Sequence, residues 1–114
     1  MLTIYHNPRC SKSRQTLSLL QDQGLEPEIV LYLETTPSPE TIKLLLQKLG
    51  IDARQLLRRG EQAYRDHNLA DKGLSEQQLI AAMTKHPKLI ERPIVVNGER
   101  AAIGRPPEAV LEII

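Results

Sequence analysis

The spacing of apolar residues changes several times along this chain, and each change marks an element. Leu2 to Tyr5 is a short β-prone run that stops at the turn formers Asn7 and Pro8. From Cys10 a helix is predicted to Gln23, with Leu17 and Leu20 inward and Gly24 as its stop. Glu28 to Leu33 predicts a second strand, nearly continuous in apolar residues as in a strand covered on both faces. Strand, helix and strand in that order make a right-handed unit with parallel strands.

A helical middle follows. Ser38 is a good N-cap, Pro39 suits the first helical position, and Ile42, Leu45, Leu46 and Leu49 fall on one face before Gly50. Asp52 predicts a short capped helix holding Leu56 and Leu57, and the polar stretch from Glu61 to Gly73 reads as a broken helix. Ser75 and Gln78 form a capping box ahead of Leu79, Ile80 and Met83, and that helix stops before His86-Pro87. Ile94-Val95-Val96, the turn signal Asn97-Gly98, and Ala101-Ala102-Ile103 predict a hairpin, and Pro106-Pro107-Glu108 starts a C-terminal helix. The sum is an α/β fold: a four-stranded mixed sheet with helices on both faces and a helical insertion between the second and third strands. That is the thioredoxin-like layout.

Composition narrows the class. A chain of 114 residues predicts one domain spanning 1–114. With no Phe and no Trp the core has to be aliphatic. A net charge of +1 argues against binding nucleic acid or a membrane by bulk charge. No apolar run approaches transmembrane length and none resembles a signal peptide, so the cytoplasm is the expected location. A single cysteine excludes an intramolecular disulfide framework and a zinc-finger type of metal site. Any disulfide chemistry needs a thiol from another molecule.

That cysteine is where the chemistry concentrates. Cys10 falls at the junction of loop and helix, where unpaired N–H groups and the positive end of the helix dipole favour thiolate over thiol. The same N–H groups, with Arg9, Lys12 and Arg14 close in sequence, would accept an oxyanion. His6 either supports the thiolate as imidazolium or hydrogen-bonds the loop. Ser13 either donates to the thiolate or satisfies N–H groups of the first helical turn. Nine of the fifteen basic residues are Arg, a residue suited to bidentate binding of oxyanions. Arg58 follows two leucines at a helix end, Arg92 precedes Pro93 at a strand entrance, and Arg105 stands between Gly104 and Pro106. Singly, each is more often a surface cation than a ligand. Arg54, Arg59, Arg65 and Arg100 are expected on the surface, and His67 and His86 are expected to be surface or capping residues.

Taken together, Tyr5-His6-Asn7-Pro8-Arg9-Cys10-Ser11-Lys12-Ser13-Arg14, Leu31-Tyr32-Leu33-Glu34, Leu56-Leu57-Arg58, Glu91-Arg92-Pro93-Ile94-Val95-Val96 and Gly104-Arg105-Pro106 resemble the glutaredoxin-dependent arsenate reductase family. The likeness runs through essentially the whole chain and is greatest to short bacterial members. The resemblance implies that Cys10 is the catalytic cysteine and that Arg58, Arg92 and Arg105 bind the oxyanion. It also implies that His6 corresponds to the histidine credited with activating the cysteine, and that Pro93 is cis. It implies arsenate as substrate, glutathione as co-substrate, glutaredoxin as partner, a monomer, and no bound cofactor or metal. Two other functions are compatible with the same residues. One is a glutathione-linked monothiol oxidoreductase with another substrate. The other is an RNA-polymerase-binding regulator of the same fold, though such regulators often carry Cys-x-x-Cys where this chain has Ser13.

Overall fold

A computed structural model describes residues 2–114. The chain forms two compact units, one built from the segments up to Thr35 and from Arg92 onward, the other from Thr36–Glu91. The first unit holds the sheet. Strands β1 (Leu2–Tyr5), β2 (Glu28–Val30), β3 (Ile94–Asn97) and β4 (Arg100–Ile103) lie in the order β2-β1-β3-β4. β1 pairs parallel with β2 and antiparallel with β3, and β3 pairs antiparallel with β4. This is the mixed α/β sheet of the thioredoxin-like layout.

Helix α1 (Ser11–Asp22) links β1 to β2, which gives the parallel pair the crossover it needs. Ile4, Val95 and Ala102 stand opposite one another across three strands. They meet Leu20 of α1 and Val110 and Ile113 of the C-terminal segment in one aliphatic cluster. Burying each of these larger side chains contributes roughly 1.5–3 kcal/mol, and the cluster fixes α1 against the sheet. The mouth of α1 is thereby held at the C-terminal end of β1.

Three expectations change here. β2 has only three residues, with Glu28 exposed and Ile29 46% exposed, so it is not covered on both faces, and it is an edge strand paired only with β1. Leu31 to Thr35 leave the sheet in a turn closed by Glu34 and Thr35 N–H donating to Leu31 O. The C-terminal segment Pro107–Ile113 is a 3-10 helix. Its last carbonyls accept from side chains of the hairpin, Ile113 O from Asn97 Nδ2 at 2.6 Å and Glu112 O from Arg100 Nη2 at 3.0 Å. The hairpin turn itself is Gly98-Glu99, between the paired residues Asn97 and Arg100, with Gly98 at φ +62°.

The second unit is helical: α2 (Pro39–Leu49), α3 (Ala53–Leu56), α4 (Gln62–Asp66), α5 (Glu76–Lys85) and a 3-10 turn Pro87–Leu89. Its starts follow local chemistry. Ser38 caps α2 through Thr41 N–H, and both Asp52 and Ser75 complete capping boxes, with Gln55 and Gln78. Leu57 lies outside α3 and forms an antiparallel bridge with Ile90. No helix among the described residues is long and apolar enough to cross a membrane.

Candidate active site

Cys10 occupies the N-cap position of α1 with extended backbone (φ −95°, ψ 123°). Its N–H donates to Asn7 O at 3.0 Å, which closes the loop, and its own carbonyl accepts from Arg14 N–H at 3.0 Å, which opens the helix. At an N-cap the usual Ser or Asp oxygen meets the orphan N–H groups. Here sulfur stands there, α1 has no side-chain cap, and its first turn contains no acidic residue. The positive end of the helix dipole is therefore left facing the sulfur and whatever anion sits beside it.

Cys10 is 7% exposed, yet its neighbour is a cation. Arg105 Nη2 lies 3.6 Å from Cys10 Sγ, and Arg105 Nε donates to Arg92 O at 2.8 Å. The carbonyl of Arg92 thus aims the Arg105 guanidinium at the sulfur. Both the Arg92–Pro93 and the Arg105–Pro106 peptide bonds are cis. The first follows the resemblance, while nothing in the sequence singled out the second. Gly104, beside Arg105, is buried against α1: a Cβ there would overlap Thr16 Oγ1 and approach Pro93 Cγ to 2.8 Å. Only a residue without a side chain lets the end of β4 come this close. Arg92 is half-buried with Nε and Nη1 shielded from solvent.

Behind the loop lies a small buried polar network. His6 Nδ1 and Ser13 Oγ are 2.6 Å apart, and Asn7 N–H donates to Ser13 Oγ at 3.0 Å. The hydroxyl accepts from Asn7 and shares a second hydrogen bond with His6 Nδ1, whose direction follows the imidazole tautomer. Burial first, and the Arg14 guanidinium second, lower the His6 pKa from its ordinary 6.5. Near neutral pH His6 therefore carries no charge. The structure places His6 in a hydrogen bond with Ser13, which in turn accepts from the loop N–H of Asn7. Ser13 Oγ bonds the loop N–H of Asn7 and the His6 ring, a pairing not among the roles expected from sequence. Arg14, whose Nη1 donates to Pro8 O at 2.9 Å, fastens the loop from outside.

A family model described as the ArsC family matches residues 5–113. The chain belongs to the ArsC family. It is 60% identical to the Escherichia coli protein YfgD over 97% of this chain and 94% of that one. It is 51% identical to the arsenate reductase of Haemophilus influenzae, covering 97% of each. The structure of the Vibrio cholerae arsenate reductase superposes with a TM-score of 0.98 at 55% identity, over 99% of this chain and 97% of that one.

Within this ArsC chain, Cys10, His6, Ser13, Arg92, Pro93 and Arg105 fall in one unit, whereas Arg58 belongs to the helical unit. There Arg58 N–H donates to Leu89 O, and its guanidinium pairs with Glu61 and Glu91. Arg54 departs from its expected surface placement. It is half-buried and donates to Leu69 O at 2.8 Å and Asp71 O at 2.9 Å, so it staples the loop after α4. His67 and His86 are indeed capping residues, at the ends of α4 and α5, and their rings stack at 4.4 Å. The residues that sequence reasoning passed over are Gly104, Thr16 and the carboxylates on Arg58. Only Gly104 had a signal, as a glycine between a strand and a matched arginine.

Proposed function

We propose that this chain is an arsenate reductase that works through one nucleophilic cysteine. Membership of the ArsC family and the arsenate reductases among its full-length relatives support the activity. The single observation that carries the mechanism is the Arg105 guanidinium at 3.6 Å from the only sulfur nucleophile, at the uncapped mouth of α1.

In this reading arsenate docks against Arg105 and Arg92 and the positive end of α1. Arg58 completes the set that the resemblance assigns. The Cys10 thiolate attacks arsenic, and an oxygen of arsenate leaves as water after protonation, giving a sulfur–arsenic(V) adduct. Cationic donors stabilise the negative charge on the arsenate oxygens through that step. Reduction then needs a second thiol, which a chain with one cysteine cannot supply. Glutathione fills that role: two sulfurs join, each giving up one electron, and the pair of the broken sulfur–arsenic bond stays on arsenic, which departs as arsenite. Glutaredoxin reduces the resulting mixed disulfide by thiol exchange. No bound cofactor or metal enters these steps. Such thiol cycling belongs in the reducing cytoplasm, and the chain acts as a monomer.

The test is arsenate-dependent NADPH oxidation in a system coupled through glutathione and glutathione reductase, with and without glutaredoxin. Turnover requiring arsenate, glutathione and glutaredoxin is expected, and Cys10→Ser should abolish it. Undiminished turnover by Cys10→Ser rejects the mechanism. Activity on a glutathione mixed disulfide with none on arsenate replaces the substrate assignment.

A further inference from the structure

Arg58, taken above as one of the arsenate-binding arginines, is already engaged by two carboxylates. Its Nη1 lies 2.6 Å from Glu61 Oε2 and its Nε 3.4 Å from Glu91 Oε1. The backbone builds this arrangement. Glu91 N–H donates to Leu56 O and Arg58 N–H to Leu89 O, so the two segments run side by side around the Leu57–Ile90 bridge. Glu61 arrives separately, across the turn Arg59-Gly60. It holds the N-cap position of α4 and makes no side-chain capping bond there. Its carboxylate goes to Arg58 instead.

We propose that Glu61 is a built-in competitor for the oxyanion: it holds the Arg58 guanidinium in the absence of the anion and yields it when the anion binds. The inference rests on the reading of Arg58 as an arsenate ligand. A guanidinium offers the same planar fork to a carboxylate and to a tetrahedral oxyanion, so the two ligands exchange on one set of donors. The arrangement keeps Arg58 oriented. With side chains 25% and 26% exposed, the Arg58–Glu61 pair is partly screened by water, so the effect is moderate.

Glu61→Gln removes the charge while keeping the size and one hydrogen-bonding oxygen. Arsenate binding is read by its protection of Cys10 from iodoacetamide, and turnover by the coupled assay. The variant is expected to need about three- to tenfold less arsenate for half-protection, with the same gain in KM and little in kcat. Glu61→Asp, which keeps the charge, should gain far less. The gain should disappear in an Arg58→Ala background, since the competition is for that one side chain. A folded Glu61→Gln protein with unchanged or weaker arsenate protection overturns the competitor role, as does a full gain without Arg58. If wild type is protected and only the gain is missing, the competitor alone falls; if arsenate protects no variant, the substrate reading falls with it.

Discussion

Arg105 and Cys10 stand 95 positions apart in the chain and meet at 3.6 Å, Nη2 to Sγ. Two contacts set that meeting: the Arg92 carbonyl that receives Arg105 Nε, and the side-chain-free Gly104 packed on Thr16 of α1. The arginine is thus positioned by the sheet, and the sulfur by the helix.

Loss of this cation should be felt in the chemistry. Arg105→Ala is expected to lower kcat/KM for arsenate by roughly 10²–10³-fold, the cost of removing one donor to a developing oxyanion. Arg59→Ala, next to Arg58 but exposed, should stay close to wild type. Steady-state kinetics of both variants check this, and equal effects would remove Arg105 from the site. Arg54→Ala is no neutral control, since Arg54 holds the Leu69–Asp71 loop.

Gly104→Ala tests the close approach. The added methyl meets Thr16 Oγ1 and Pro93 Cγ, and overpacking of this kind costs about 1–3 kcal/mol. Urea denaturation should show that loss, and pairing the variant with Thr16→Ala should recover part of it. Wild-type stability in Gly104→Ala would mean that β4 and α1 separate freely here.

Ser13→Ala should destabilise by about 1–3 kcal/mol, because it strands the Asn7 N–H and the His6 ring nitrogen that Ser13 now serves. Chemical denaturation measures the loss. A change within about 0.5 kcal/mol, the range of an ordinary surface substitution, would show that the network is not needed to hold the loop.

His6 makes stability depend on pH with a definite sign. Its folded pKa lies below the unfolded 6.5, so the unfolded chain binds more protons between the two values. Stability is full above about pH 6.5 and falls as pH drops through that window towards the lower native pKa. Thermal melts across this range should show a smaller decline in His6→Asn, which keeps a polar group near Ser13 and does not titrate. An equal decline in both proteins would place the proton elsewhere.

Much of this molecule was legible before any coordinates, and for a uniform reason. The capping boxes at Asp52 and Ser75, the face formed by Ile42, Leu45 and Leu46, and the strand–loop–helix around Cys10 each depend on residues within a few positions of one another. Periodicity and capping act at that range, so sequence alone determined them, along with the sulfur at a helix mouth. What the tertiary structure decided involves partners that local sequence does not name. β2 is a three-residue edge strand with exposed side chains, although its apolar run reads like a strand covered on both faces. His6 is neutral because the fold buries it beside Ser13 and brings Arg14 near. Arg58 faces Glu61 across a turn and Glu91 across a bridge, and Arg105 reaches Cys10 only because a glycine lets β4 press on α1. Sequence placed the cysteine at a helix mouth; long-range packing decided which charges surround it.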